Sequence, residues 1–198
     1  EAAWAVNPLD TPLGLRRPPP GQRAFLVSFL SLLATAPGAL EPPEGVADMA
    51  GLVVDLAYAH YADDRAPKPY APAQDRAVDA ALASRRIALP DRPSWWEVVD
   101  ALFDAGDVPA AVRAQRHAVP LLSDLVAVAQ WPQVAHLYGG DMSLDKTAES
   151  PVALFNRVVS AATREWPILA YPSRFDLGNA RVAGLDVAAL CGDMTPVG

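Results

Sequence analysis

Ser94-Trp95-Trp96-Glu97-Val98-Val99-Asp100-Ala101-Leu102-Phe103-Asp104-Ala105-Gly106 spells out a helix from cap to stop. A serine hydroxyl accepts the amide three residues on, while a glutamate at that position reaches back to the serine amide, which makes a capping box. Gly106 supplies the left-handed residue that ends a helix. Trp96, Val99 and Phe103 fall on one face, with Trp95, Val98 and Leu102 on the adjoining one, so the tryptophan pair reads as core. Tryptophan also dominates partner surfaces, and Trp95 stands as a candidate for one. Glu97, Asp100 and Asp104 form an acidic stripe at i, i+3 and i+7. It reads as a solvated face or a partner surface, and more remotely as three carboxylates for a divalent cation.

The same periodicity runs outward in both directions. After Pro18-Pro19-Pro20, a helix is expected with Leu26, Phe29, Leu30 and Leu33 as its apolar stripe, widened by Phe25 and Leu32, because proline is tolerated only in a first turn. A second helix spans 46–62 and buries Met49, Leu52, Val53 and Leu56; a proline-rich linker, 63–72, follows, then an alanine-rich helix at 73–86. Asp107 caps a helix expected to run to Gln130 with a kink at Pro120. Residues 139–149 read as a polar loop, and Ser150-Pro151 opens a last helix with Phe155, Val158, Val159, Ala162 and Trp166 on one face. Beyond Pro167 the pattern changes. Residues 174–190, RFDLGNARVAGLDVAAL, read as two strands around the Gly178-Asn179 turn, the second apolar without alternation like a strand buried on both faces.

Composition excludes several classes. With 52% hydrophobic and 20% charged residues the 198-residue chain is globular. Sixteen basic against 23 acidic side chains, a net charge of −7, argue against direct nucleic-acid binding. A single cysteine, Cys191, excludes an internal disulfide and suits a reducing compartment. Arg16-Arg17 before the apolar run 24–36 imitates a twin-arginine signal, but three prolines and Arg23 interrupt the two, and the run is too short to span a bilayer. It reads as an internal helix. Glu1 and Gly198 both read as cut ends.

The stretch from Asn7 to Pro18 with its Asn7-Pro8-Leu9-Asp10 turn, the tryptophan helix and the 174–190 stretch together resemble the motor ATPases of type IV secretion and conjugation, most closely the Dot/Icm kind, the IcmB family. The likeness covers nearly the whole chain. It implies a mainly α-helical subdomain of about six helices with short β segments at both ends, part of a RecA-like P-loop ATPase domain. The segment would lie between the phosphate-binding loop and the acidic magnesium motif (Walker A and Walker B). Residues 1–18 and 168–198 would then be remnants of the ATPase sheet and 19–167 the helical subdomain. ATP and Mg²⁺ would belong to the parent protein, with no cofactor in this segment. Its partners would be other subunits of the motor ring and secretion or coupling proteins, and its place the cytoplasmic side of the inner membrane, without a transmembrane segment.

The resemblance makes Asn7, Asp10, Arg16, Arg17 and Arg174 nucleotide-proximal candidates. A trans-acting arginine stabilises charge in phosphoryl transfer, though arginines of this kind are more often paired at a surface, as Arg23 could also be. Asn7-Pro8-Leu9-Asp10 is equally an ordinary turn. No G-x-x-x-x-G-K-[ST] occurs, and the two lysines, Lys68 and Lys146, sit in a linker and a loop. No catalytic or metal residue is assigned. His60, His117 and His136 show no zinc spacing, and no G-x-S-x-G elbow is present. The rival reading is a stand-alone helical adaptor binding a protein partner without catalysis; a third, weaker one is a small hydrolase built on the histidines.

Overall fold

A computed structural model describes residues 5–62, 66–140 and 149–174. Among them are eight α-helices: α1 (Pro20–Ala34), α2 (Val46–Ala62), α3 (Arg76–Arg85), α4 (Trp95–Asp104), α5 (Val108–Ala118), α6 (Leu122–Ala129), α7 (Pro132–Tyr138) and α8 (Pro151–Glu165), followed by a 3-10 turn at Pro167–Leu169. The fold is mainly helical. The only β pairing among the described residues is an isolated bridge between Pro69 and Ser94. The expected strand segment within residues 1–18 is replaced, over its described part, by turns and extended chain. The expected hairpin about Gly178-Asn179 lies outside the described residues.

α4 forms as its capping box dictates. Ser94 Oγ accepts from the Glu97 amide at 3.2 Å, and Glu97 Oε2 accepts from the Ser94 amide at 2.7 Å. At the far end Gly106 takes φ +74, and the Asp107 amide reaches the Leu102 carbonyl at 2.9 Å, a Schellman-type closure. Asp107 then caps α5 through the Ala110 amide. The proline-rich linker is not idle: the Trp95 amide donates to the Lys68 carbonyl at 2.9 Å and the Tyr70 amide to the Pro93 carbonyl at 2.8 Å. It thereby satisfies a helix-terminal donor that the helix itself cannot.

Two boundaries differ from the sequence reading. Pro120 breaks the helix instead of kinking it. Proline disfavours helical geometry in the residue before it, and Val119 is extended, φ −76 and ψ 159, so α5 and α6 are separate. α3 begins at Arg76 and not near Ala73, because Ala73 has φ +70 and Asp75 provides the cap, accepting from the Ala77 and Val78 amides. α7, opened by Pro132 at its first turn, is an additional helix that the sequence reading passed over.

The helices enclose two hydrophobic clusters. α1, α2, α6, α7 and α8 surround Leu26, Leu30, Met49, Val53, Tyr58, Leu122, Leu125, Phe155 and Val159. α3, α4 and α5 surround Val78, Trp95, Trp96, Val99 and Leu102. Trp96 is 3% exposed and donates its indole N–H to the Tyr61 carbonyl of α2 at 2.9 Å, so it ties the second cluster to the first. Three expected core positions are on the outside: Phe103 is 53%, Phe25 57% and Leu32 70% exposed. Trp166, expected on the buried face of α8, is also exposed.

Replacing Trp96 with alanine should cost about 3–5 kcal/mol, through the cavity left behind. Phe103→Ala, two turns further on, should stay within about 1 kcal/mol, as its ring is largely solvated. Chemical denaturation of both variants, read by circular dichroism, checks the contrast.

Candidate functional site

The N-terminal segment threads between the two clusters and gathers two of the buried polar side chains among the described residues, Asn7 and Gln115. Proline at 8 and the short side chain of Asn7 make a tight turn, closed by Asp10 N–H donating to the Asn7 carbonyl at 3.1 Å. Asn7 is 3% exposed. Its Nδ2 donates to the Pro120 carbonyl at 2.9 Å, its Oδ1 accepts from the Leu9 amide at 3.1 Å, and its backbone N–H donates to Ser173 Oγ at 2.7 Å. The carbonyl freed by the α5–α6 break is therefore capped by the turn. Two backbone bonds lie alongside: Val6 N–H to the Ile168 carbonyl at 2.8 Å and Arg174 N–H to the Ala5 carbonyl at 2.9 Å.

Beside this junction is a cleft of about 250 Å³ lined by Asp10, Thr11, Leu13, Gln115, Arg116 and Val119. Burial pushes the Asp10 carboxyl above the ordinary range, while the Ser173 hydroxyl, Arg116 and Asn7 pull it back down. Gln115 is consumed by the wall of the cleft. Its Oε1 accepts from the Gly14 amide at 2.8 Å, and its Nε2 donates to the Thr11 and Pro12 carbonyls at 3.0 and 2.9 Å. Arg116 reaches the Ser173 carbonyl at 3.4 Å. The sequence reading missed Gln115, Arg116 and Ser173. No periodicity or motif marks them, because their partners are remote in the chain.

Of the nucleotide-proximal candidates, the junction gathers Asn7, Asp10 and the backbone of Arg174, whose guanidinium lies 5.9 Å from the Tyr171 ring centre. Arg16 and Arg17 lie apart, lining an open groove of about 630 Å³ with Gly14, Leu15, Ala59 and Ala62. Arg16 packs over the Trp96 ring at 5.0 Å and pairs with Asp100 at 2.9 Å. Arg17 is exposed and makes no ion pair among the described residues.

The α4 candidates divide. Trp95 is corrected from a partner surface to a core position: it is fully buried, stacked on the His117 ring at 4.4 Å and edge-on to Tyr70. Its ring belongs inside because the linker and α5 close over that face. Glu97 is spent in the capping box, whose Ser94 N–H and hydroxyl hold its carboxyl below the usual range. Asp100 is paired with Arg16, and Asp104 is exposed without a partner among the described residues.

Several of these groups are engaged in structural contacts. Asn7 points inward, Gln115 is consumed, and Lys68 is held by Asp124 at 2.6 Å. No group of three or more histidine, cysteine or acidic side chains among the described residues is arranged to hold a metal. The histidines sit in three different surroundings. His60 packs edge-on against Trp131, His136 is exposed, and His117 lies between Trp95 and Asp75, with Nε2 3.5 Å from Asp75 Oδ2. Burial is the main reason His117 protonates less readily than an ordinary histidine; Asp75 opposes it, and Arg113 and Lys68 add to it. Burial also pushes Asp75 up, but the Arg113 guanidinium and the Val78 and Ala77 amides outweigh it and leave that carboxyl below its usual range.

No protein-family model, curated protein or solved structure matches this chain. No helix among the described residues is long and apolar enough to cross a membrane.

Asn7→Ala should cost about 1–3 kcal/mol by orphaning the buried Pro120 carbonyl, whereas Arg17→Ala should stay within about 0.5 kcal/mol; urea denaturation distinguishes the two. For His117 the unfolded chain binds the proton more tightly than the folded one. Its contribution to stability is therefore present above the ordinary histidine pKa of about 6.5 and is lost as pH falls below it. His117→Phe, which keeps the ring against Trp95, should flatten the stability profile in that window relative to the parent protein. Denaturation midpoints measured from pH 7.5 down to pH 5 report the difference.

Proposed function

We propose that this chain is the helical subdomain of a type IV secretion or conjugative-transfer ATPase of the Dot/Icm kind, giving docking surface to an ATP-driven export motor. The observation that carries the reading is the pairing of residues 5–7 with 168–174. A helical unit set into a RecA-like sheet needs the chain to enter and leave at neighbouring points. Here the Val6–Ile168 and Arg174–Ala5 bonds hold those two points side by side. The Asn7 to Asp10 turn and Arg174, the first residue of the second stretch that carries the family resemblance, lie at this one place.

The exposed face of α1 supports the docking role. Ala24, Phe25, Ser28 and Leu32 follow one another along it without a charge, on a chain that is otherwise acidic. A contiguous apolar patch on a helix face marks an interaction surface. In this reading it receives the secretion or coupling proteins or a neighbouring ring subunit, on the cytoplasmic side of the inner membrane. In this reading ATP and Mg²⁺ bind the parent domain and not this segment, whose junction groups Asn7 and Gln115 are taken up by structural hydrogen bonds. The adaptor reading draws on the same α1 face, but gives no reason for residues 5–7 and 168–174 to be clasped.

The test is the ATPase activity of the full natural protein that contains this sequence. Mg²⁺-dependent hydrolysis is expected, and its absence overturns the reading in favour of the adaptor. The 198-residue chain alone should show no micromolar affinity for ATP–Mg²⁺ by calorimetric titration, since the electrostatic clamp of phosphoryl transfer is lacking. Phe25→Glu with Leu32→Glu should leave helicity intact and abolish assembly of the full protein with its secretion complex.

A further inference from the structure

One surface outside the junction carries both signs of charge in an unusual balance. The Arg16–Asp100 pair, 2.9 Å, fastens the 14–17 segment to the outer face of α4. Arg16 is immobilised further by the Trp96 ring beneath it. Next in sequence to Arg16 stands Arg17, exposed and without a salt-bridge partner among the described residues; one helical turn beyond Asp100 stands Asp104 in the same condition. Leu15 is 44% exposed and Phe103 53%, each next in sequence but one, or next, to one of the unpaired charges. The patch therefore holds one free cation, one free anion, a large apolar side chain beside each, and an open groove of about 630 Å³ running past Arg17.

We propose that this face is a contact between two copies of the chain, related by a two-fold axis. A patch that contains both complementary halves matches itself when rotated, so that Arg17 of each copy meets Asp104 of the other and Leu15 meets Phe103. Charge selects the occupant. On a chain of net charge −7 most surfaces repel a second copy, whereas here Arg17 and Asp104 offer each other's copy an opposite charge. The already closed Arg16–Asp100 pair holds both elements in place, so little ordering cost remains on association. Exposed aromatic and aliphatic side chains flanked by charge pairs give the apolar centre and polar rim of an ordinary protein interface. The inference does not rest on the ATPase reading, and either can fail without the other.

Sedimentation equilibrium on the full 198-residue chain tests it. A concentration-dependent monomer–dimer equilibrium is expected, weakening with added salt. Arg17→Asp alone and Asp104→Arg alone each place like charges opposite one another twice per dimer, and each should weaken association roughly tenfold or more. The double variant Arg17→Asp/Asp104→Arg restores both pairs and should return the dissociation constant to within about twofold of the parent. Both positions are exposed, so circular dichroism should confirm an unchanged fold in all three. A chain that stays monomeric at every concentration overturns the proposal. So does a dimer that neither single variant weakens, or a double variant that remains as weak as the singles.

Discussion

The tertiary structure depends on a buried amide. Asn7 fills the gap that Pro120 opens between α5 and α6, giving a donor to a carbonyl that no helix can serve and accepting a turn amide in return. A buried main-chain carbonyl without a partner is costly, so the break at Pro120 and the turn at Asn7 stabilise each other. The segment carrying Asn7 is anchored on both sides: Leu9 enters the cluster built by α1, α2 and α8, and Leu13 packs on the one built by α3, α4 and α5. Gln115 holds the stretch between 11 and 14 to α5. The two clusters are joined by a strap whose Leu9 and Leu13 enter different clusters and whose Asn7 and Thr11 are hydrogen-bonded.

Acidic side chains do a second structural job. Asp75, Asp107 and Asp124 each cap a helix N-terminus, where the unpaired amides and the helix dipole favour negative charge. Each of the three also meets a cation from another part of the chain, Arg113, Arg85 and Lys68 respectively. The pairs are partly exposed and individually contribute little. Their positions matter more than their energies, because they orient α3 on α5, α3 on the α4–α5 corner, and the linker on α6. Part of the acidic complement of the sequence is thus spent at helix starts.

This packing also brings the two ends of the helical unit together. Residues 5–7 and 168–174 are clasped by backbone bonds and by Ser173, with Asp10 and Arg116 beside them in the cleft. A unit clasped in this way can be carried as an insertion by a larger domain while presenting other faces outward. Two such faces are distinct in chemistry: the uncharged ridge of α1, and the mixed-charge patch formed by the 14–17 segment with α4.

Sequence by itself determined the elements whose signals are local. α2 occupies the expected 46–62, and α4 has the cap and stop that Ser94, Glu97 and Gly106 specify, because capping and periodicity act over three or four residues. It also specified Trp96 as core. Only the tertiary structure decided which side of each apolar stripe would be covered. Phe25, Leu32 and Phe103 satisfy the helical period as well as their buried neighbours do, and are exposed since no other helix lies over them. The break at Pro120 required knowing that Val119 would take the extended conformation and that Asn7, more than a hundred residues earlier, would supply the missing donor. Gln115, Arg116 and Ser173 gained their roles the same way. A polar side chain acquires a site only when distant chain is folded against it, and no local pattern encodes that meeting.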